Sequence, residues 1–186
     1  DSPILLFLKA KILMRCDAQQ EAGILLKQHT FAPSRLPYLH YLIGLHQLHE
    51  LQNDASKHFN NYLTYFKGRS YIKESYQKLA WHALIQGDTI GYKRNMQSVI
   101  QRGYAITDED KQALKEAKSG SIPDVILLKA RLLCDGGQYP RAYALLQAKL
   151  PQYYQSKHPH KMEAAYRMAR ICHLKKDYPE ALSYYA

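Results

Sequence analysis

The feature that most constrains this chain is that part of it is written twice. Residues 3–28 read PILLFLKAKILMRCDAQQEAGILLKQ, and residues 123–148 read PDVILLKARLLCDGGQYPRAYALLQA. A shift of 120 places Pro3, Leu8, Lys9, Ala10, Leu13, Ala22, Leu25 and Leu26 on Pro123, Leu128, Lys129, Ala130, Leu133, Ala142, Leu145 and Leu146, without a gap. Fixed-period similarity of this kind is the mark of a repeat architecture. Within each copy, apolar residues recur at helical spacing on both sides of a turn, so the unit is a helical hairpin. A small residue on the first helix is answered by another 12 positions on: Ala10 with Ala22, Ala130 with Ala142, Ala169 with Ala181. Gly44 with Ala55 is one residue short, and Ala80 is followed by Tyr92. Two helices that cross closely need a small side chain where their axes approach. One hairpin cannot bury its apolar face alone, so neighbours must stack.

The first-helix small residues fall 34, 36, 50 and 39 apart. The long interval holds an extra segment at 104–121. Thr107-Asp108-Glu109-Asp110 reads as an N-cap with an acidic first turn, Ala113, Leu114 and Ala117 form a weak apolar stripe, and Gly120 ends it. This predicts an inserted short helix over about 107–118, packed on the edge of the array; a linker between two domains is the alternative. The fold class is therefore all-α, a right-handed solenoid of about five hairpins (3–30, 34–65, 69–103, 122–150 and 158–186) forming one domain over 1–186. The last hairpin reaches Ala186 with no polar capping unit, so the chain reads as a fragment of a longer protein or as one whose ends a partner covers.

The pattern resembles the tetratricopeptide repeat (TPR) family. Leu79-Ala80, Gly87-Asp88 and Met96 match it in the third unit; Gly137, Tyr139, Ala142 and Leu146 in the fourth; Met168-Ala169, Asp177-Tyr178, Ala181 and Tyr185 in the fifth; Ile43-Gly44 and Phe59 in the second. Departures are Lys9 and Lys129, where the family prefers Leu, and the turn Asp17-Ala18-Gln19. Segments 67–81 and 127–137 also resemble a group of bacterial TPR proteins of no assigned chemistry. The resemblance implies a concave groove lined by first helices. The positions that usually face it fall on Phe7, Lys11 and Arg15; Tyr38, Tyr41, Leu45 and His49; Gln77, Trp81 and Leu84; Leu127 and Arg131; and Tyr166, Arg170 and His173. Aromatics mixed with cations suit a protein or peptide partner bearing apolar anchors and carboxylates. The expected function is a protein-binding scaffold or adaptor. Tyr41, Trp81 and Tyr166 would be anchors, and Lys11, Arg131 and Arg170 would steer acidic groups. The family's clamp for chaperone tails is not expected, because Lys11 and Leu42 stand where it needs Asn.

Other chemistries find less support. The net charge is +10, but the basic residues scatter along the chain, with Lys175-Lys176 the one adjacent lysine pair. A basic surface binding nucleic acid is the alternative function, and a structural spacer with no ligand of its own is the third reading. An anionic membrane surface is weaker still. No apolar run spans a membrane, and Asp1-Ser2-Pro3 shows no basic start of a signal peptide, so localisation is left unassigned. His46 and His49 lie three apart, with His40 and His58 nearby and His158 and His160 flanking Pro159. A structural zinc site needs four ligands, and no metal or cofactor is expected. Cys16, Cys134 and Cys172 form no Cys-x-x-Cys and read as small packing residues. Gly136-Gly137 is a turn, not a phosphate loop. No catalytic residue is assigned, and the chain is not read as an enzyme. Copies of the chain would also be able to pair through uncapped ends.

Overall fold

The computed structural model describes residues 2–16, 18–27, 36–155 and 157–185. Asp17, part of the first turn, lies outside the described residues, as does the 28–35 connection. Eleven helices account for the described elements: α1 (Pro3–Arg15), α2 (Gln19–Lys27), α3 (Pro37–His49), α4 (Ala55–Tyr65), α5 (Ile72–Ile85), α6 (Thr89–Gln101), α7 (Asp108–Ser119), α8 (Val125–Asp135), α9 (Tyr139–Tyr153), α10 (Lys161–Leu174) and α11 (Tyr178–Tyr185). The chain is all-α, and no strand occurs among the described residues. The helices gather into two compact units, one reaching Ile122 and the other running from Pro123.

In the first unit, α1 pairs with α2, α3 with α4 and α5 with α6. α3 packs on both helices of the hairpin before it, and α5 does the same to the α3–α4 hairpin. The crossing points are where the sequence places them. Ala10, Ala22, Ala55 and Ala80 are completely buried. Gly44 faces the ring of Phe59, which a Cβ would meet at 3.1 Å. Tyr92 stands in place of a small residue and is buried, with its hydroxyl donating to the Ser121 carbonyl at 3.2 Å. The core is aromatic: Tyr62 stacks on Phe66 with ring centres 4.7 Å apart, Tyr41 stacks on Tyr71 at 4.7 Å, and Phe59 and Tyr62 are fully buried. Each such ring removed from water contributes about 2–3 kcal/mol.

The helix ends follow local chemistry. Pro occupies the first turn of α1 and α3, where its missing N–H costs nothing. Asp88 caps α6 by accepting from the Gly91 N–H at 2.7 Å. Gly87, at the turn before it, has φ +84°, a conformation that glycine adopts without Cβ strain. The carboxyl end of α6 is closed by a side chain from another helix. Lys73, buried on α5, donates from Nζ to the carbonyls of Val99 at 2.6 Å, Ile100 at 3.3 Å and Arg102 at 3.1 Å. A cation there meets the negative end of the helix dipole.

In the second unit, α8 pairs with α9 and α10 with α11, and α10 packs on both α8 and α9. Ala130, Ala142, Ala169 and Ala181 are buried at the crossings. Asp124 caps α8, accepting from Ile126 N–H at 2.9 Å and Leu127 N–H at 3.0 Å, and also from the Tyr153 hydroxyl at 2.5 Å. Met168, Ile171 and Cys172 complete this core.

Candidate functional site

The inserted helix α7 decides what remains open in the first unit. It begins with a full capping box: the Thr107 hydroxyl accepts from the Asp110 N–H at 3.1 Å while the Asp110 carboxylate accepts from the Thr107 N–H. Gly120, at φ +67°, ends it. The sequence places this helix correctly to within a residue. α7 packs on α5 and α6, burying Ala113 and Ala117. Asp110 is completely buried and serves a second helix as well. Its Oδ2 accepts from the Tyr71 N–H at 2.8 Å and its Oδ1 from the Glu74 N–H at 3.1 Å. Those are N–H groups of the first turn of α5, which has no side-chain cap of its own.

Glu116 completes the attachment. Its Oε1 accepts from Trp81 Nε1 at 2.7 Å and its Oε2 from Gln77 Nε2 at 2.6 Å. Beneath them Lys78 lies over the Trp81 ring at 4.0 Å and pairs with Glu74 at 3.2 Å. The Tyr41 hydroxyl donates to Glu74. Burial, reinforced by the Glu74 carboxylate, holds the Tyr41 phenol well above its ordinary range, so it is a donor.

Three expected groove residues are therefore corrected. Gln77 and Trp81 are buried, with their polar atoms engaged by α7. Tyr41 is buried between the Tyr71 ring and Glu74. Trp81 and Tyr41 are structural rather than exposed anchors. Leu84 and Leu127 are buried as well.

The other expected residues keep exposed or half-exposed positions in two groups. In the first unit Phe7 on α1 and Tyr38 on α3 bring their rings to 5.5 Å, and Tyr38 meets Tyr71 edge-on at 6.3 Å. Lys11 lies over Phe7 at 5.7 Å; burial, then Glu109 and Glu74, raise the Tyr71 phenol, and Arg15 opposes them. This is an aromatic patch flanked by two cations. Leu45 and His49 are half-exposed further along α3. In the second unit Arg170 and Tyr166 lie one turn apart on α10, Arg131 pairs with Asp135 at 3.6 Å, and His173 meets Tyr178 edge-on at 5.5 Å. Arg131 is half-exposed, and Tyr166, Arg170 and His173 are exposed.

Two of the described histidines meet as a pair. His40 and His58 stack, with their Nδ1 atoms 2.8 Å apart in a hydrogen bond, and burial followed by the charge of His40 pushes His58 down to about 4. Among the described residues no group of three or more His, Cys, Asp or Glu is placed to hold a metal ion. Burial raises the Cys134 and Cys172 thiols to about 11, so both are poor nucleophiles at neutral pH. The cleft between α6 and α7, lined by Met96, Ile100 and Glu116, holds about 240 Å³, less than the range usual for drug-sized ligands. No helix among the described residues is long and apolar enough to cross a membrane.

Tyr71, Glu74, Lys78, Asp110 and Glu116 carry this arrangement, and none stands out in the sequence as a site residue. The local signals are the Thr107–Asp110 capping box and the neighbours of Lys78 on its own helix; Tyr41 meets Glu74, Tyr71 meets Asp110 and Gln77 meets Glu116 across 33 to 39 positions. No protein-family model, curated protein or solved structure matches the chain.

Proposed function

We propose that the chain is a TPR-like helical-repeat scaffold that binds a short acidic segment of a partner protein. The binding surface is the patch of Phe7, Lys11, Arg15 and Tyr38 on the first two hairpins, with Tyr71 at the start of the third. The observation that carries this reading is the juxtaposition of half-exposed aromatic rings on two first helices with the cations Lys11 and Arg15. Rings supply apolar contact at low entropic cost, and the cations favour carboxylates beside the anchor. The recurring hairpins and their buried small crossings support the repeat reading. Helix α7, carrying Asp108, Glu109 and Glu116, takes the share of the surface that α5 would otherwise offer, so the site is short.

The test is selection from a displayed peptide library on immobilised protein, followed by binding to Lys11→Glu/Arg15→Glu. The expected peptides carry Asp or Glu beside an aromatic or aliphatic residue. They should lose about tenfold in affinity on the variant, the effect of two exposed charge pairs at about 0.7 kcal/mol each. Peptides that bind both proteins equally would remove the patch as the site. A preference for nucleic acid that is lost with salt would favour the basic-surface reading instead.

A further inference from the structure

Beyond Tyr71 the aromatic patch meets a carboxylate. Tyr71 is the residue before α5, and its N–H donates to Asp110 of α7 at 2.8 Å. The first turn of α7 therefore stands beside Tyr71, and Glu109 directly precedes Asp110 in that turn. Three other carboxylates here are engaged. Asp110 is buried on the N–H groups of α5, Glu74 is buried against Lys78 at 3.2 Å, and Asp108 is held by Lys111 at 2.8 Å. Glu109 is exposed, and among the described residues no ion pair engages it.

Glu109 acts on the rings of the patch. Burial and then the Glu109 charge raise the Tyr71 phenol, and Arg15 acts in the opposite sense. Glu109 also adds to what burial and Glu74 do at Tyr41. The cations Lys11 and Arg15 come from α1, and the open carboxylate comes from α7. Those two helices do not pack on one another among the described residues. Between them Phe7, Tyr38 and Tyr71 form two ring-to-ring steps of 5.5 and 6.3 Å. An extended chain advances about 3.3 Å per residue, so about four residues cross the rings.

Resting on this patch as the binding surface, we propose that the bound segment carries opposite charges on the two sides of its apolar residues, Asp or Glu toward Lys11 and Arg15 of α1 and Lys or Arg toward Glu109 of α7. Glu109 is then a specificity-determining residue. A wholly acidic segment meets repulsion at Glu109, and a wholly basic one meets it at Lys11 and Arg15. At exposed positions each opposite pair adds little affinity, so the charges act mainly by excluding wrong segments.

The experiment repeats the peptide selection and measures the selected peptides on the parent, on Glu109→Gln and on Lys11→Glu/Arg15→Glu. Circular dichroism and Trp81 emission check that each variant folds as the parent does. Peptides selected on the parent should carry Lys or Arg about four positions from Asp or Glu. They should bind Glu109→Gln about threefold more weakly, the effect of one exposed charge pair. Replacing the peptide's base with Gln should cost about threefold on the parent and nothing further on Glu109→Gln, whereas replacing its acid should cost the same on both. Two results overturn the proposal while leaving the patch as the site of an acidic segment: peptides that lose affinity for Lys11→Glu/Arg15→Glu but carry no base, and peptides that lose it there but bind Glu109→Gln as well as the parent. Peptides indifferent to Lys11→Glu/Arg15→Glu remove the patch itself, and the role of Glu109 with it.

Discussion

Replacing Asp110 with Asn tests whether one buried carboxylate fastens α7 to α5. The side chain keeps its shape but loses one acceptor. Asp110 accepts from Tyr71 N–H at 2.8 Å, Glu74 N–H at 3.1 Å and the Thr107 hydroxyl at 3.1 Å, and it is completely buried. In the variant an NH₂ group must face at least one of these donors. A hydrogen bond to a charged group contributes about 1.5–3 kcal/mol, and a stranded buried donor costs about 1–3. The expected loss is about 3 kcal/mol. For a unit of this size that lowers Tm by about 10 °C. Trp81 is the one tryptophan of the chain and donates to Glu116 on α7, so its fluorescence reports on this unit and on this attachment. Emission should shift to the red at lower temperature or lower denaturant concentration than in the parent. Thr107→Ala is the comparison: it removes the Thr107 side chain from the α7 cap, leaves both Asp110 bonds to α5 in place, and should cost about 1 kcal/mol. If Asp110→Asn costs no more than Thr107→Ala and leaves Trp81 emission unchanged, the bonds to α5 contribute nothing and the reasoning is refuted.

Two further outcomes are expected. His58 titrates near 4 when folded and near 6.5 when unfolded, so between these values the unfolded chain binds more protons; stability should be full above pH 6.5 and fall as pH drops toward 4. Urea midpoints measured across that window should decline less steeply in His58→Asn than in the parent, and an equal decline would show that the His40–His58 pair is not responsible. Iodoacetamide at pH 8 should modify exposed Cys16 rapidly and leave Cys134 and Cys172 intact until the protein is denatured, since burial raises both thiols to about 11; fast native labelling of either, located by peptide mass, would contradict this.

What the sequence shows of this protein is what short range determines. The small crossing residues, the turn at Gly87-Asp88 and the bounds of α7 all follow from spacing and caps, and they hold in the structure. Where α7 lies does not follow from them. Its position depends on Glu116 meeting Trp81 and Gln77, and on Asp110 meeting the start of α5, and such polar pairings leave no periodicity behind. The family resemblance assigned Gln77 and Trp81 to an open face; α7 lies on them. Tyr41 was misplaced for a related reason, since its cover comes from Tyr71 and Glu74 in the following hairpin. Phe7, Lys11 and Tyr38 are half-exposed and Arg15 is exposed.

The borrowed cap on α5 also orders events during synthesis. Tyr71 needs an acceptor that lies 39 positions further along the chain. At about 5–20 residues per second, a ribosome supplies Asp110 roughly 2–8 s after Tyr71. Through that interval the first turn of α5 has no side-chain partner, and Trp81 and Gln77 stand uncovered. The first two hairpins can assemble as they emerge, whereas the third waits for a helix that has yet to be made.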